Sequence, residues 1–162
     1  DPQGRALVPG HGIESMWFLI HLFQNRGEKK LIKRAINIIH HNIEIGWDQK
    51  FGGILLGLDN QGKTPVWWKF HDTKIWWPQV ETLYALLLAY DQSKESWCLE
   101  WYQKVHDFAW SHYPVKEHGE WTQKLNRDGS IRTEPIALPV KDPFHLPRAF
   151  IYSIKVLERL SK

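Results

Sequence analysis

The chain has 162 residues, of which 43% are hydrophobic, so it is long and apolar enough for one domain with a buried core. Its net charge of +3 comes from intermixed acidic and basic residues, and no Lys/Arg block indicates a nucleic-acid-binding face. The single cysteine, Cys98, excludes an internal disulfide, and no apolar run has membrane-spanning length, so we expect a cytoplasmic protein without membrane or nucleic-acid partners.

The N-terminal part of the chain predicts an antiparallel pair of helices. The stretch "IESMWFLIHLFQNRG" is apolar on nearly all sides and ends at Gly27, which is typical of a buried helix with a glycine after its last turn. The stretch "EKKLIKRAINIIHHNIEIG" follows with a polar face and with apolar residues at helical spacing: Ile32, Ala35, Ile36, Ile39 and Ile43. Because only Gly27 separates the two segments, they should form a helical hairpin.

The middle of the chain changes character and then returns to helix. Residues 46–72 contain Gly-Gly and "DNQG" between short apolar runs, which predicts a short β-hairpin or an ordered loop. The stretch "WPQVETLYALLLAYDQ" predicts a helix that tolerates Pro78 in its first turn. The stretch "ESWCLEWYQKVHDFAWSHY" predicts another helix, with one apolar stripe: Trp97, Trp101, Val105 and Phe108.

The last third predicts a second hairpin and a final helix. The hairpin would turn at "RDGS" within "GEWTQKLNRDGSIR". The final helix should run from about His145 to Leu160, with Phe150, Ile154 and Leu157 facing the core.

These elements predict an all-α fold with about five helices in antiparallel pairs and short β-hairpins in the long loops. Segments with polar, chemistry-bearing side chains, "GHGIE", "KIWWPQVE" and "KDPFHLPR", stand at the start of every second helix. Alternate helices would therefore present their N-terminal ends to one side, which is the arrangement of a partial α/α toroid with its pocket at one rim.

Two histidines are the leading candidates for catalysis. His11 and His145 precede corresponding helices, and either alone would more often be a structural residue. Together at one rim they could act as a pair of proton-transfer groups, because the imidazole pKa lies near neutrality. Nearby carboxylates and a cation complete the set: Glu14 three residues after His11, Glu81, and Arg148 three residues after His145.

Ten tryptophans are more than a core of this size requires, and they indicate either a large aromatic core or flat surfaces that pack against sugar rings. Trp76 and Trp77 are adjacent on a helix, so at most one can stack on a ligand while the other packs between helices. We expect six of the others to pack in the core or loops: Trp67, Trp68, Trp97, Trp101, Trp110 and Trp121. No spacing of His, Cys and Asp is typical of a metal site, and we expect no metal or other cofactor.

The stretches "PGHGIESMWFL", "GWDQKFGGI", "KIWWPQVETLYALL", "GEWTQKLNRDG" and "FHLPR" resemble the N-acylglucosamine 2-epimerase (renin-binding protein) family, in the order that the family has them. The resemblance implies an (α/α)6 barrel of twelve helices. With about five helices, we expect residues 1–162 to form one domain that corresponds to the C-terminal half of that barrel.

The resemblance also implies a reaction and its residues. His11 and His145 would exchange protons on opposite faces of sugar C2, with Glu81 and Arg148 in the catalytic set. Substrate contacts would come from Glu14, Trp76, Trp77, Gln79 and Lys141.

The substrate is read from the segment before His145. Val140, which Lys141 follows, stands five residues before His145, where cellobiose 2-epimerases tend to have a tryptophan, and this difference favours an N-acylglucosamine substrate. Cellobiose epimerisation, aldose–ketose isomerisation and a non-catalytic carbohydrate-binding or protein-binding role remain alternatives. Because half a toroid leaves apolar helix edges in water, we also expect self-association, or pairing with the missing N-terminal half.

Overall fold

The computed structural model describes residues 3–63, 69–134 and 141–162. Within these residues the chain forms five α-helices, as expected, together with one short 3-10 helix, Gln3–Arg5. The α-helices are α1 (Pro9–Arg26), α2 (Lys29–Gly46), α3 (Trp76–Ser93), α4 (Trp97–His112) and α5 (His145–Leu160).

Helices α1 and α2 form the predicted hairpin. Gly27 has a left-handed φ of 69°, its N–H donates to the Gln24 carbonyl, and the N–H of Glu28 donates to the Phe23 carbonyl. This closure ends α1 and reverses the chain within two residues. The apolar stripe predicted for α2 is confirmed, because all of its members are buried: Ile32, Ala35, Ile36, Ile39 and Ile43.

Helix α3 lies at the centre of the molecule, between the other helices. It is buried almost all round because α1, α4 and α5 pack against it. Helices α1, α3 and α5 start at the same side of the molecule, and α2 and α4 pack outside them. Neighbouring N-terminal turns of three helices therefore meet at one rim.

The strands are two residues long and tie the long loops together. Strands β4 (Pro114–Val115) and β5 (Glu120–Trp121) form a local hairpin. The other ladders join distant segments: β1 (Ala6–Leu7) with β2 (Leu58–Asp59), and β3 (Lys74–Ile75) with β6 (Lys124–Leu125). The turn predicted at "RDGS" is present, with Gly129 at φ 90° and the N–H of Asn126 donating to the Ser130 carbonyl.

An ionic cluster, the Asp48 cluster (the buried Asp48 and Lys74 with the half-exposed Arg127), joins three of these loops. Lys74 Nζ lies 3.2 Å from Asp48 Oδ2 and also donates to the Arg127 carbonyl. Arg127 binds both oxygens of Asp48, at 2.9 Å and 3.3 Å, and the Lys50 N–H donates to Oδ1 at 3.0 Å. The cluster fixes the strand that leads directly into α3.

The predicted orientation of α5 is wrong. Ile154 and Leu157, expected in the core, are 55% and 46% exposed, and Phe150 is only partly buried. The buried residues of α5 are Leu146, Ala149 and Val156. Helix α5 has apolar residues on two faces, and the face that packs against α3 is the one with the smaller side chains.

No helix in the described ranges is sufficiently long and apolar to cross a membrane. Two of the residues discussed in the sequence analysis as loop packing, Trp67 and Trp68, and the substrate-indicating Val140 lie outside the described residues.

Candidate active site

The N-terminal ends of α1, α3 and α5 bring four of the expected residues into one polar cluster. Arg148 Nη2 donates to Glu81 Oε1 at 2.6 Å and to Glu14 Oε1 at 2.7 Å. His145 Nδ1 lies 2.7 Å from the same Glu81 oxygen. We call Glu14, Glu81, His145 and Arg148 the Glu81 cluster.

Glu81 is the centre of this cluster and is fully buried. Its Oε1 accepts from Arg148 and His145, and its Oε2 accepts from the indole N–H of Trp17 at 2.8 Å. A buried carboxylate is stabilised as an anion when charged and neutral donors satisfy both of its oxygens. The three donors therefore fix both the charge and the orientation of Glu81.

The partners of His145 indicate its tautomer. Nδ1 lies 2.7 Å from Glu81 Oε1 and 3.2 Å from Arg148 Nη2, whose N–H groups are already directed at Glu81 and Glu14. Because a carboxylate oxygen can only accept, the shorter contact assigns the proton to Nδ1 and leaves a lone pair on Nε2 of the neutral ring. Asp142 Oδ2 lies 3.8 Å from Nε2, beyond hydrogen-bond distance. Asp142 instead caps the start of α5, because its Oδ1 accepts from the backbone N–H groups of Phe144 and His145. The ring is thus held by Glu81 with one nitrogen available for proton transfer.

Arg148 is held by charge and by aromatic rings. Burial alone would lower its pKa, but hydrogen bonds to Glu81 and Glu14 outweigh this and raise the pKa of the guanidinium above its ordinary value. Its guanidinium carbon lies 4.6 Å, 5.1 Å and 5.2 Å from the ring centres of Phe144, Trp17 and Phe18. The group is therefore a permanent cation in a fixed place beside His145.

Trp77 connects the two histidines. Its ring stacks with His11 at a centroid distance of 4.9 Å and with His145 at 5.5 Å. His11 is exposed, and Trp77 is half-buried. A Cβ at Gly10 would lie 2.6 Å from the Trp77 ring, so the close approach of α1 and α3 requires glycine there. One indole thus contacts both candidate proton-transfer groups.

Three of the expected substrate-binding residues have other contacts. Gln79 is fully buried, and its amide donates to and accepts from the backbone of Ile54, which gives it a structural role outside the cluster. Lys141 Nζ binds the Glu120 carboxylate and the Trp121 carbonyl. Trp76 is buried, with its ring 6.4 Å edge-on from His145, and its indole N–H has no partner among the described residues.

The geometry also reveals a group that could have held a metal. Ligand atoms of Glu14, Glu81 and His145 lie within 4.8 Å of one another, which the sequence spacing did not indicate. Arg148 Nη2, however, makes bonds of 2.6 Å and 2.7 Å to the two carboxylates. The guanidinium occupies the place where a cation between these carboxylates would lie, so the donor set fits an ion pair better than a metal site.

The sequence reasoning missed Trp17, which it treated only as part of a buried helix. Trp17 follows Glu14 by three residues, so both lie on the same face of α1. The spacing from Glu14, together with the need of a buried indole N–H for an acceptor, could have indicated that Trp17 lies beside the polar cluster.

The fold and the site together define a class, an α/α toroid segment with a His–Glu–Arg cluster where its inner helices begin. The sequence model of the N-acylglucosamine 2-epimerase (GlcNAc 2-epimerase) family matches residues 2–149, and the chain belongs to this family.

Individual relatives agree with this assignment. The chain is 31% identical over 158 residues to the N-acylglucosamine 2-epimerase of Bos taurus, which covers 97% of the chain and 37% of the relative. Among solved structures, a D-mannose isomerase aligns with a TM-score of 0.80 at 23% identity, over 92% of this chain and 37% of the other. The cellobiose 2-epimerase from Bacillus thermoamylovorans aligns with a TM-score of 0.73 at 26% identity, over 96% and 38%. The chain therefore spans little more than a third of the length of these relatives.

Proposed function

We propose that this chain carries the catalytic histidines of a sugar 2-epimerase that interconverts N-acylglucosamine and N-acylmannosamine. The observation that carries the proposal is the contact of both imidazoles with one indole, beside a buried Glu–Arg pair that orients one of them. The named relatives that are similar to this chain are sugar epimerases and isomerases, with N-acylglucosamine 2-epimerases among them.

The proposed chemistry is proton transfer at C2 of the open-chain sugar. One imidazole removes the C2 proton, the electron pair of the broken C–H bond forms an enolate with the C1 carbonyl, and the other imidazole delivers a proton to the opposite face of C2. Arg148 would stabilise the enolate oxygen, and Glu81 would hold His145 through Nδ1 so that Nε2 takes part in the transfer. Trp77 would support the open-chain sugar between the two histidines, with Glu14 as a contact to hydroxyl groups.

Within the family, we propose an N-acylglucosamine as the substrate. The bovine relative is an N-acylglucosamine 2-epimerase, and Lys141 precedes α5 in a position for which the sequence favours this substrate type. Lys141 is held by Glu120 beside the buried Trp76, so it would act on the substrate only by shaping the wall of the site.

Solvent exchange at C2 tests this function directly. Because we expect very low epimerase activity from residues 1–162 alone, the chain is joined to the rest of the toroid and incubated in D₂O with N-acetylmannosamine, N-acetylglucosamine, mannose or cellobiose. The C2 proton signal is followed by NMR. We expect loss of this signal from the N-acyl sugars, and H145Q should prevent the loss for the epimer whose C2 proton His145 removes. Preferential exchange of mannose or cellobiose would contradict the substrate, and sugar binding without exchange would favour a non-catalytic binding domain.

We further propose that residues 1–162 correspond to the C-terminal half of a six-pair toroid and that the isolated chain self-associates. The support is the apolar surface that α1 and α5 leave exposed: Phe18, Leu22, Phe144, Ile151, Ile154 and Leu157. Such surfaces are seldom left in water, and a chain carrying the remaining helices would be the alternative partner. Sedimentation that shows only a monomer with full epimerase turnover would contradict this proposal.

A further inference from the structure

We propose that Trp17 is a positioning residue that fixes Glu81 and Arg148 relative to His145. The inference rests on the proposed proton-transfer role of His145 and assigns a task to a residue outside the catalytic set. Trp17 is 1% exposed, and it contacts two members of the Glu81 cluster with different parts of one side chain.

The first contact is the indole N–H. Glu81 Oε1 has two donors, but Oε2 has only the Trp17 N–H among the described residues, at 2.8 Å. The terminal torsion of a glutamate is broad and nearly two-fold, so a carboxylate held at one oxygen can rotate. The N–H therefore fixes the plane of the carboxylate, and this plane decides where the oxygen that holds His145 Nδ1 lies.

The second contact is the face of the ring. The Arg148 guanidinium carbon lies 5.1 Å from the Trp17 ring centre. Phe18 and Phe144 contact the same guanidinium, but both are 48% exposed, so Trp17 supplies the buried face. A cation–π contact is stronger when it is shielded from water. Trp17 thus holds both partners of the Glu81–Arg148 ion pair.

The indole itself cannot easily turn. Tyr84, His21 and Tyr152 surround it at ring-centre distances of 5.1 Å, 5.4 Å and 6.0 Å. His21 and Tyr84 are also hydrogen-bonded to each other. A close-packed ring in this setting has one rotamer, which makes it suitable as a fixed support for the charged pair.

Two substitutions separate the two contacts. W17F keeps an aromatic face near Arg148 and removes the N–H, whereas W17L removes both. W97F is the matched control, because the indole N–H of Trp97 also donates to a carboxylate, that of Glu95, but on α4 and away from the cluster. Two-dimensional amide NMR spectra establish that each variant keeps the native fold.

The decisive signals are the His145 Nδ1 proton and the Trp17 indole proton, observed by NMR without any substrate. In the wild type we expect a downfield His145 Nδ1 proton and a Trp17 indole proton that exchanges with solvent more slowly than that of Trp97. W17F should broaden or shift the His145 signal, W17L should do so further, and W97F should leave it unchanged. If the chain turns over sugar, W17F should lower kcat by roughly tenfold to a hundredfold while KM stays within about threefold.

Two results would overturn the proposal. One is a folded W17F variant whose His145 Nδ1 signal is the same as in the wild type, whatever happens to kcat. The other, which needs no variant, is a Trp17 indole proton that exchanges as fast as that of Trp97. Because both measurements omit sugar, an absence of epimerase activity would count against the proposed function and leave this test intact.

Discussion

Two buried carboxylates in this molecule have similar surroundings and opposite charge balance. Asp48 binds two basic side chains, Lys74 and Arg127, and a backbone N–H. Glu81 shares its single guanidinium, from Arg148, with a second carboxylate, Glu14.

The two clusters differ in the ratio of basic to acidic side chains around the buried carboxylate. The Asp48 cluster has more basic groups than acidic ones, so its carboxylate is neutralised with no other group required. The Glu81 cluster has two carboxylate side chains and one guanidinium, so the basic groups do not outnumber the acidic ones. The first arrangement suits a structural tie, and the second is the one that contains His145, the residue proposed to transfer a proton.

The largest expected effect is that of removing the proton carrier. H145Q should reduce C2 exchange of the epimer whose proton His145 removes by about a thousandfold, because it deletes a proposed general acid–base group, while the free energy of unfolding changes by less than about 1 kcal/mol. NMR exchange and urea denaturation measure the two quantities. H106Q, on the outer helix α4, is the control and should exchange like the wild type. Equal C2 exchange by H145Q and H106Q would show that His145 has no catalytic role.

The next effect concerns the structural cluster. K74M should lower the free energy of unfolding by about 3 kcal/mol, because it leaves Asp48 buried with one cation fewer. K94M, which removes an exposed lysine that pairs with Asp91 at the surface, should stay within about 0.5 kcal/mol of the wild type. Urea denaturation measures both. A K74M variant as stable as the wild type would show that the Asp48 cluster is dispensable.

The stability that the Asp48 cluster contributes should decrease as the pH falls. Burial alone would raise the pKa of Asp48, but Arg127, the Lys50 N–H and Lys74 outweigh it and lower the pKa from 3.8 to about 2. A lowered folded-state pKa gives stability above the unfolded-state value, and this stability is lost as the pH falls from about 4 to about 2. The loss should be about 2 kcal/mol.

D48N isolates that loss. Its unfolding free energy should be lower than that of the wild type at about pH 5, but it should fall less on acidification to about pH 2. Urea denaturation at both pH values gives the difference. An identical acid dependence in D48N and the wild type would assign the transition to other carboxyl groups.

The smallest effect is expected for an ion pair at the surface. Lys141 binds Glu120, and this contact lowers the pKa of the 55% exposed Glu120 carboxyl. K141A should change the free energy of unfolding by less than about 1 kcal/mol, since exposed ion pairs contribute little. Thermal unfolding at low and high salt measures it. A loss as large as that of K74M would mean that the loop before α5 depends on this contact.

The helices were readable from the sequence because their signals are local. Gly27 ends α1 through its own backbone conformation, and the stripe from Ile32 to Ile43 repeats at helical spacing, so neither depends on distant contacts. The same holds for the placement of Glu14, Glu81, His145 and Arg148 at helix starts, from which their convergence at one rim followed.

The features that the sequence did not reveal depend on long-range geometry. Gln79 stands in the same helix start as Trp77, yet its side chain points to Ile54, and only the packing of the loop decides this. The two-residue strands β3 and β6 pair across about fifty residues, too far for any turn signal to indicate. Helix α5 has two apolar faces, and periodicity alone cannot choose between them.

Gly10 has a consequence for the spacing of the two histidines. A methyl group at Gly10 would displace the Trp77 ring. Because this ring contacts His11 on α1 and His145 on α5, the distance between α1 and α3 affects the positions of both imidazoles. The missing Cβ of Gly10 therefore sets the distance between the start of α1 and the Trp77 ring. An alanine at this position would shift the Trp77 ring relative to both histidines without replacing any residue of the Glu81 cluster.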